Sequence, residues 1–338
     1  MAWLVWRQNR WPAAITGALL AAFAALLLAT GLRMAAQWHS VLAACTAAGN
    51  CSISSPNSAP QSVYLGSPAV QALVLLTMGV PVVLGLLWGV PLVAQEIESG
   101  TRTFAWTQTV TRRRWLLVKA GWTLLAAAAC AGLVAAAVTW WSGPRTALYA
   151  NAFNPGIFDL LDIAPVGYAL FATALGIAAG ALLRRTLPAL AVTVGGFIAV
   201  RLLIATFVRQ HFMAAVTVYG TPLAHFTPPG AVWVLARGVI NKYGQVLTGG
   251  SGPRVNGVPI SLLPASCRNL LLNGPRSIPE SHIRPTFACM QSLGFRGFTT
   301  YQPANHFWAF QGIETGIFVA LAAALLAVTF AVVTRRDA

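Results

Sequence analysis

The chain has 338 residues, of which 57% are hydrophobic and 9% charged, against roughly 25% charged in an ordinary soluble domain; a soluble globule is excluded. Twenty-two Lys and Arg face seven Asp and Glu, a formal charge of +15. With a mean hydropathy of +0.68, that excess has first to be divided across a membrane before nucleic acid is considered. The whole carboxylate supply is Glu96, Glu98, Asp159, Asp162, Glu280, Glu314 and Asp337, which limits acid/base and metal chemistry.

A membrane-crossing helix needs about 20 mostly apolar residues, and six stretches qualify. They run from Trp11 to Thr30, Ala69 to Ala94, Leu116 to Trp140, Ala164 to Leu183, Leu187 to Val208 and Phe307 to Val333. The first exceeds the roughly 7–15 residues of a signal h-region and has no persuasive cleavage site after it, so it reads as a retained anchor. Before it, residues 1–10 place Trp3, Trp6, Arg7 and Arg10 on one helical side, which is not a segregated amphipathic face, though Trp rings at headgroup level with arginines snorkelling would still hold the segment at the interface. A frayed end is the bland alternative. Span two carries Pro81 and Pro91, read as kinks. Gly85 and Gly89 there, like Gly176 and Gly180 in span four, lie four residues apart and permit close helix approach.

The connection from Ala94 to Lys119 is far longer than the roughly 2–8 residues of a plain helix–helix turn. Charged and apolar groups alternate through Glu96, Ile97, Glu98, Arg102, Phe104 and Trp106, and Thr111 is an N-cap candidate for span three. This is either a short helix outside the bilayer, offering a surface to a partner, or a solvated positive-inside loop. Arg7 and Arg10, Arg102 with Arg112, Arg113, Arg114 and Lys119, Arg184 and Arg185, and Arg335 and Arg336 fall on one side if six spans alternate, which puts both termini in the cytoplasm. Leu32–Pro68, Trp141–Ile163 and Arg209–His306 are then external. The last is rich in Gly, Pro and Asn and reads as a loop-rich extracellular lobe. Cys45, Cys51, Cys267 and Cys289 all lie in these external segments, an even set suited to an oxidising compartment. Sequence allows three connectivities; the expected one pairs Cys45 with Cys51 and Cys267 with Cys289.

The chain contains no P-loop glycine–lysine spacing, and its five scattered histidines show no zinc-like spacing. Asp159 and Asp162, in FDLLDIAP, read as helix-capping or turn residues. Arg201 and Glu314 are ionisable residues inside spans, where charges are usually paired or face an aqueous cavity. They lie at matching depth from the outer ends of spans five and six and form a candidate ion pair or shared polar network; independent contacts remain the alternative.

WRQNR at Trp6–Arg10, QEIESGTRTFAWTQTVTRRRW at Gln95–Trp115, FNPGIFDL at Phe153–Leu160 and YQPANHFWAFQGIE at Tyr301–Glu314 together resemble actinobacterial ATP-binding-cassette (ABC) exporter permeases. The resemblance is to the type-2 membrane-spanning class, grouped as type V, and runs in order along nearly the whole chain. It implies an all-α integral membrane fold. An N-terminal interfacial helix (1–10) would be followed by spans one to five (11–208) with a cytoplasmic coupling helix between spans two and three (95–115). An expanded extracellular lobe (209–306) and the sixth span with its tail (307–338) would complete the chain. It further implies a dimer, homomeric or with a related permease, working with a cytoplasmic ABC ATPase that holds ATP and Mg, with no cofactor on this chain. Glu96, Glu98, Arg102, Phe104 and Trp106 would meet that ATPase. The rival reading is a membrane-anchored extracellular binding or assembly protein.

Overall fold

The computed structural model describes residues 2–47, 68–98, 112–149, 153, 155–221, 232–247, 254–255, 258–259, 261, 263–272 and 280–335. These fall into two compact units, the first made of Met1–Phe212 with Phe307–Ala338 and the second of Met213–His306. Among the described residues six helical stretches are long and apolar enough to cross a membrane: Ala13–Arg33, Gln71–Gln95, Leu116–Gly143, Ala164–Leu183, Thr186–His211 and Ala304–Thr334.

In the first unit α1 spans Ala2–Ala47 without a break. From Ala2 onward, the segment expected as a separate interfacial helix is the opening of this one element. The helix also runs well past Leu32, into what was read as an external loop. Helix hydrogen bonds are internal to the backbone and do not need apolar side chains, so a hydropathy boundary is not a helix boundary. The same applies to α4 (Arg112–Tyr149), which continues beyond Trp140. Span two is composite: α2 (Pro68–Leu84), a π turn at Gly85–Gly89 and α3 (Val90–Glu98). A short helix, α5 (Pro155–Phe158), precedes α6 (Ala164–Leu183). Next comes α7 (Thr186–Leu203), extended by a π turn at Ile204–Val208 and a 3-10 turn at Arg209–His211.

Helix α6 is the centre of the helical unit. It is buried along most of its length and packs against α2, the Gly85–Gly89 turn, α3, α4, α7 and the last helix, α10 (Phe307–Arg335). Its run of Ala and Gly permits this, because small side chains let backbones approach closely where lipid supplies no hydrophobic driving force between helices. A Cβ built on Gly176 would lie 2.7 Å from the carbonyl oxygen of Gly85, and one on Gly89 would lie 2.6 Å from that of Thr173. The expected glycine pairs in spans two and four therefore face each other within one chain. Tryptophans bind α1 to its neighbours: Trp88 Nε1 donates to Thr16 Oγ1 at 2.9 Å and Trp141 Nε1 to Thr30 Oγ1 at 3.0 Å.

The second unit corrects the all-α expectation. It contains a three-stranded antiparallel sheet in the order β1–β5–β2, from β1 (Val216–Gly220), β2 (Trp233–Ile240) and β5 (Arg296–Gln302). Val216 faces Tyr301 and Gly220 faces Gly297 across one ladder, and Trp233 faces Gln302 across the other. Two-residue strands β3 (Arg254–Val255) and β4 (Val258–Pro259) pair separately. Helices α8 (Ala265–Leu272) and α9 (Glu280–Ser292) are joined by the Cys267–Cys289 disulfide. That bond lies within a small core with Val239, Leu263 and Met290. The strands were missed because their neighbours are Gly- and Pro-rich, although VTVY and FTTY carry the β-branched and aromatic residues that suit a pleated surface. The unit begins at Met213; Arg209, placed in the lobe by hydropathy, belongs to the helical unit.

Gly176→Val should wedge α6 away from the Gly85–Gly89 turn and destabilise the detergent-solubilised protein by about 1–3 kcal/mol or more. Gly195→Ala, whose Cβ meets nothing within 4 Å, should stay within about 0.5 kcal/mol of the parent. Unfolding midpoints of the two variants, followed in one detergent, check the contrast.

Candidate functional site

Five polar side chains from four elements converge inside the helical unit: Asp159 after α5, Tyr168 of α6, Arg201 and Arg209 of the fifth span, and Glu314 of α10. Arg209 is 1% exposed and Glu314 1%. Arg209 forms a fork on Glu314, with Nε donating to Oε2 at 2.7 Å and Nη2 to Oε1 at 2.6 Å, the bidentate geometry that suits guanidinium and carboxylate. The same Nη2 also bonds Asp159 Oδ1. Asp159 Oδ2 pairs with Arg201 Nη2 at 3.0 Å. The Tyr168 hydroxyl lies 2.6 Å from Glu314 Oε1 and 3.1 Å from Asp159 Oδ1, and its one proton serves one carboxylate at a time. Arg201 sits over the Tyr168 ring and Arg209 over the Phe158 ring, at 4.5 and 4.7 Å from the centroids. Two cations and two carboxylates balance, which is what allows four charged groups to be buried together.

The sequence pair Arg201 and Glu314 is thus brought into one cluster without direct contact. Asp159 bridges from Arg201 to Arg209, and Arg209 carries Glu314. Asp159, read as a capping or turn residue, does lie in a turn, but its side chain serves two arginines. Hydropathy ends span five at Val208 and so leaves Arg209 outside it, whereas a π turn at Ile204–Val208 carries the helix on to Arg209. Eight residues of regular α-helix would carry Arg209 about 80° around the axis from Arg201. The extra residue that a π turn accommodates takes back roughly 100°, so both guanidinium groups return to the same side. No pattern in the sequence marks that turn.

Gln311, one helical turn before Glu314, supports the cluster from α10. Its Oε1 accepts the Ala164 N–H at 2.9 Å, an otherwise unpartnered donor at the start of α6, and its Nε2 donates to Phe158 O at 3.1 Å. Phe153, Phe158, Phe307 and Phe310 pack edge to face around this junction.

At the opposite end of the fifth span, α6 ends with Arg184 in the left-handed region at φ 55°. Arg185 then starts α7 in extended conformation, with no capping bond from its own side chain. Glu98, at the end of α3, supplies the cap from another helix. Its Oε1 accepts the Thr186 N–H at 2.9 Å and its Oε2 the Thr186 hydroxyl at 2.5 Å. The Thr186 hydroxyl and then its N–H hold the Glu98 carboxyl below its ordinary value; desolvation opposes them less strongly, and the charge of Arg185 adds a smaller lowering. Negative charge at a helix N-terminus is also favoured by the helix dipole.

The remaining expected site residues divide as follows. The Glu96 backbone lies in α3, but its side chain lies outside the described residues, as do residues 99–111 with Arg102, Phe104 and Trp106. The Cys45 side chain and Cys51 also lie outside them. Among the described residues the Cys267–Cys289 bond is present, Cys130 is a free thiol, and no group of three His, Cys, Asp or Glu is placed to hold a metal. The cluster has no nucleophile aligned with a base. It can join helices, and it can hold or release them as charges are paired or separated.

A model of the family described as ABC-2 membrane transporter related matches residues 17–209, more than half of the chain. No curated protein and no solved structure matches it.

Arg209→Met should destabilise the protein by about 3–5 kcal/mol, because it leaves the buried Glu314 carboxylate without its cation. Adding Glu314→Leu should lose less than the sum of the two single losses. A double-mutant cycle by unfolding in detergent should give about 1–3 kcal/mol of coupling for Arg209 with Glu314 and a smaller value for Arg201 with Glu314. Glu98 yields a pH dependence with a definite sign. A carboxyl whose folded-state pKa is depressed contributes fully above its ordinary value near 4.5 and loses the contribution as pH falls through the lower folded value. The difference in unfolding temperature between the parent and Glu98→Ala should therefore be constant from neutral pH down to that ordinary value, then shrink.

Proposed function

The chain belongs to the ABC-2 membrane transporter related family, and we propose that it is the membrane-spanning permease subunit of an ATP-driven exporter of the type V class, of actinobacterial kind. The family match over residues 17–209, which takes in most of span one and spans two to five, carries this reading. In it a separate cytoplasmic ABC ATPase supplies hydrolysis, with ATP and Mg bound there. A second permease copy completes the assembly, as a homodimer, within membrane lipid. Both termini and the 95–115 segment face the cytoplasm, and residues 213–306 face outward with a second disulfide between Cys45 and Cys51. The cargo is hydrophobic or amphiphilic.

The mechanism requires the motor to move a surface of this chain, since nucleotide shifts the assembly only through contacts that differ between its states. Glu96, Glu98, Arg102, Phe104 and Trp106 supply that surface. The Glu98 cap on Thr186 gives a physical route inward: a push on the segment after α3 is transmitted to the start of α7 as well as to span two, and spans one, two and five tilt around a central pathway. At the far end of span five the Asp159–Arg209–Glu314 cluster holds that span to α10. Tilting span five then has to act against this clasp.

Co-expression with the ABC ATPase encoded beside it, purification of the complex and hydrolysis assays against a panel of amphiphiles test the reading. The two chains should co-purify, and particular amphiphiles should change the hydrolysis rate; a fully inserted protein that never associates with an ATPase rejects it. In the same assay Glu96→Ala with Glu98→Ala should lower ATPase association or stimulated hydrolysis severalfold without loss of membrane insertion. If both quantities stay at the parent level, the carboxylates are not the coupling surface.

A further inference from the structure

The second unit is strongly basic. From Met213 to His306 the sequence holds seven Lys and Arg and one carboxylate, Glu280. An excess of one sign concentrates counter-ions wherever the surface is concave. A cleft of about 510 Å³ lies in this unit, bordered by Tyr219 and Thr221 where β1 leaves the sheet, by Gln291 and Gly294 at the end of α9, and by Phe295 and Arg296 where β5 begins. Its volume is within the range that takes small ligands, roughly 300–1,000 Å³.

The walls are fixed locally. Gly294, at φ 82°, turns the chain from α9 into β5, a conformation that favours glycine. Phe295 packs against the core that contains the Cys267–Cys289 bond. Arg296 is held in register opposite Ile240, and its neighbour Gly297 opposite Gly220. A helix C-terminus would ordinarily repel an anion, but here three of its last four carbonyls already accept hydrogen bonds. Cys289 O accepts the Leu293 N–H and the Ser292 hydroxyl, Met290 O accepts the Phe295 N–H, and Gln291 O accepts the Gly294 N–H. The lining side chains of Arg296, Gln291 and Tyr219 can all donate. Among the described residues no hydrogen bond or ion pair holds the side chains of Arg296, Gln291 or Tyr219. A guanidinium offers five donors and no acceptor.

We propose that this cleft binds a phosphate- or carboxylate-bearing ligand, with Arg296 as the anchoring cation and Gln291 and Tyr219 as neutral donors beside it. The anionic group, either free in solution or as a lipid headgroup, is the feature recognised.

The test uses the full-length chain in nanodiscs of zwitterionic lipid. Two probes are titrated, inorganic phosphate and a short-chain phosphatidylglycerol dispersed below its micelle concentration. At least one should bind the parent saturably, phosphate identifying a free anion and the lipid alone identifying a headgroup. Arg296→Gln should weaken that binding at least about tenfold, the loss of one charged hydrogen-bond partner, and Arg296→Lys should retain part of it. Arg237→Gln removes the same charge from β2 outside the cleft and should leave affinity unchanged. Retention of the Cys267–Cys289 bond, read from the mass of the alkylated protein, verifies the fold of each variant. The proposal is overturned if neither probe binds, if Arg296→Gln binds as the parent does, or if Arg237→Gln weakens binding as much as Arg296→Gln, which would mean a diffuse basic surface.

Discussion

Charges placed among apolar helices have to be neutralised by one another, and much of the helical unit is organised around that requirement. Arg209 cannot be buried without a carboxylate, and it has two, from opposite directions: Glu314 on α10 and Asp159 ahead of α6. To deliver its guanidinium there the fifth span has to depart from regular α-helix at Ile204–Val208. The Tyr168 hydroxyl adds a hydrogen bond to Glu314, and Gln311 ties α10 to the start of α6 beside them. Spans four, five and six are thereby joined by directional contacts at a point where lipid-like packing alone would permit sliding.

The opposite end of span five is held differently. Glu98 is exposed, and its contact with Thr186 is a cap whose contribution depends on a single carboxylate remaining charged. One end is thus a buried, multiply bonded clasp and the other a solvent-accessible latch. In the proposed transport cycle the latch is the part that a cytoplasmic motor can reach, and the clasp is the part that resists. The close glycine contacts between α6 and span two lie between them, so displacement of span two is transmitted by backbone against backbone with little side-chain slack.

The second unit follows another logic. Its disulfide joins two short helices, α8 and α9, in a core shared with Val239 of β2. The Arg296 backbone is fixed by strand register on one side and by the Gly294 turn on the other.

Six apolar stretches, their approximate limits, the burial of charge in spans five and six, and the pairing of Cys267 with Cys289 were legible in the amino-acid sequence, because hydropathy, residue depth and nearness along the chain are one-dimensional properties. The partners were not. Arg201 meets Asp159 and Glu314 meets Arg209, and Glu98 reaches Thr186 across 88 residues of chain; these choices depend on which helices are neighbours and on a π turn that moves Arg209 around its axis. The strands in the second unit were hidden by the glycine and proline around them, since pairing between Val216–Gly220 and Arg296–Gln302 is decided across a long separation in sequence. Local composition sets which segments enter the membrane, and only packing in three dimensions determines which charge neutralises which.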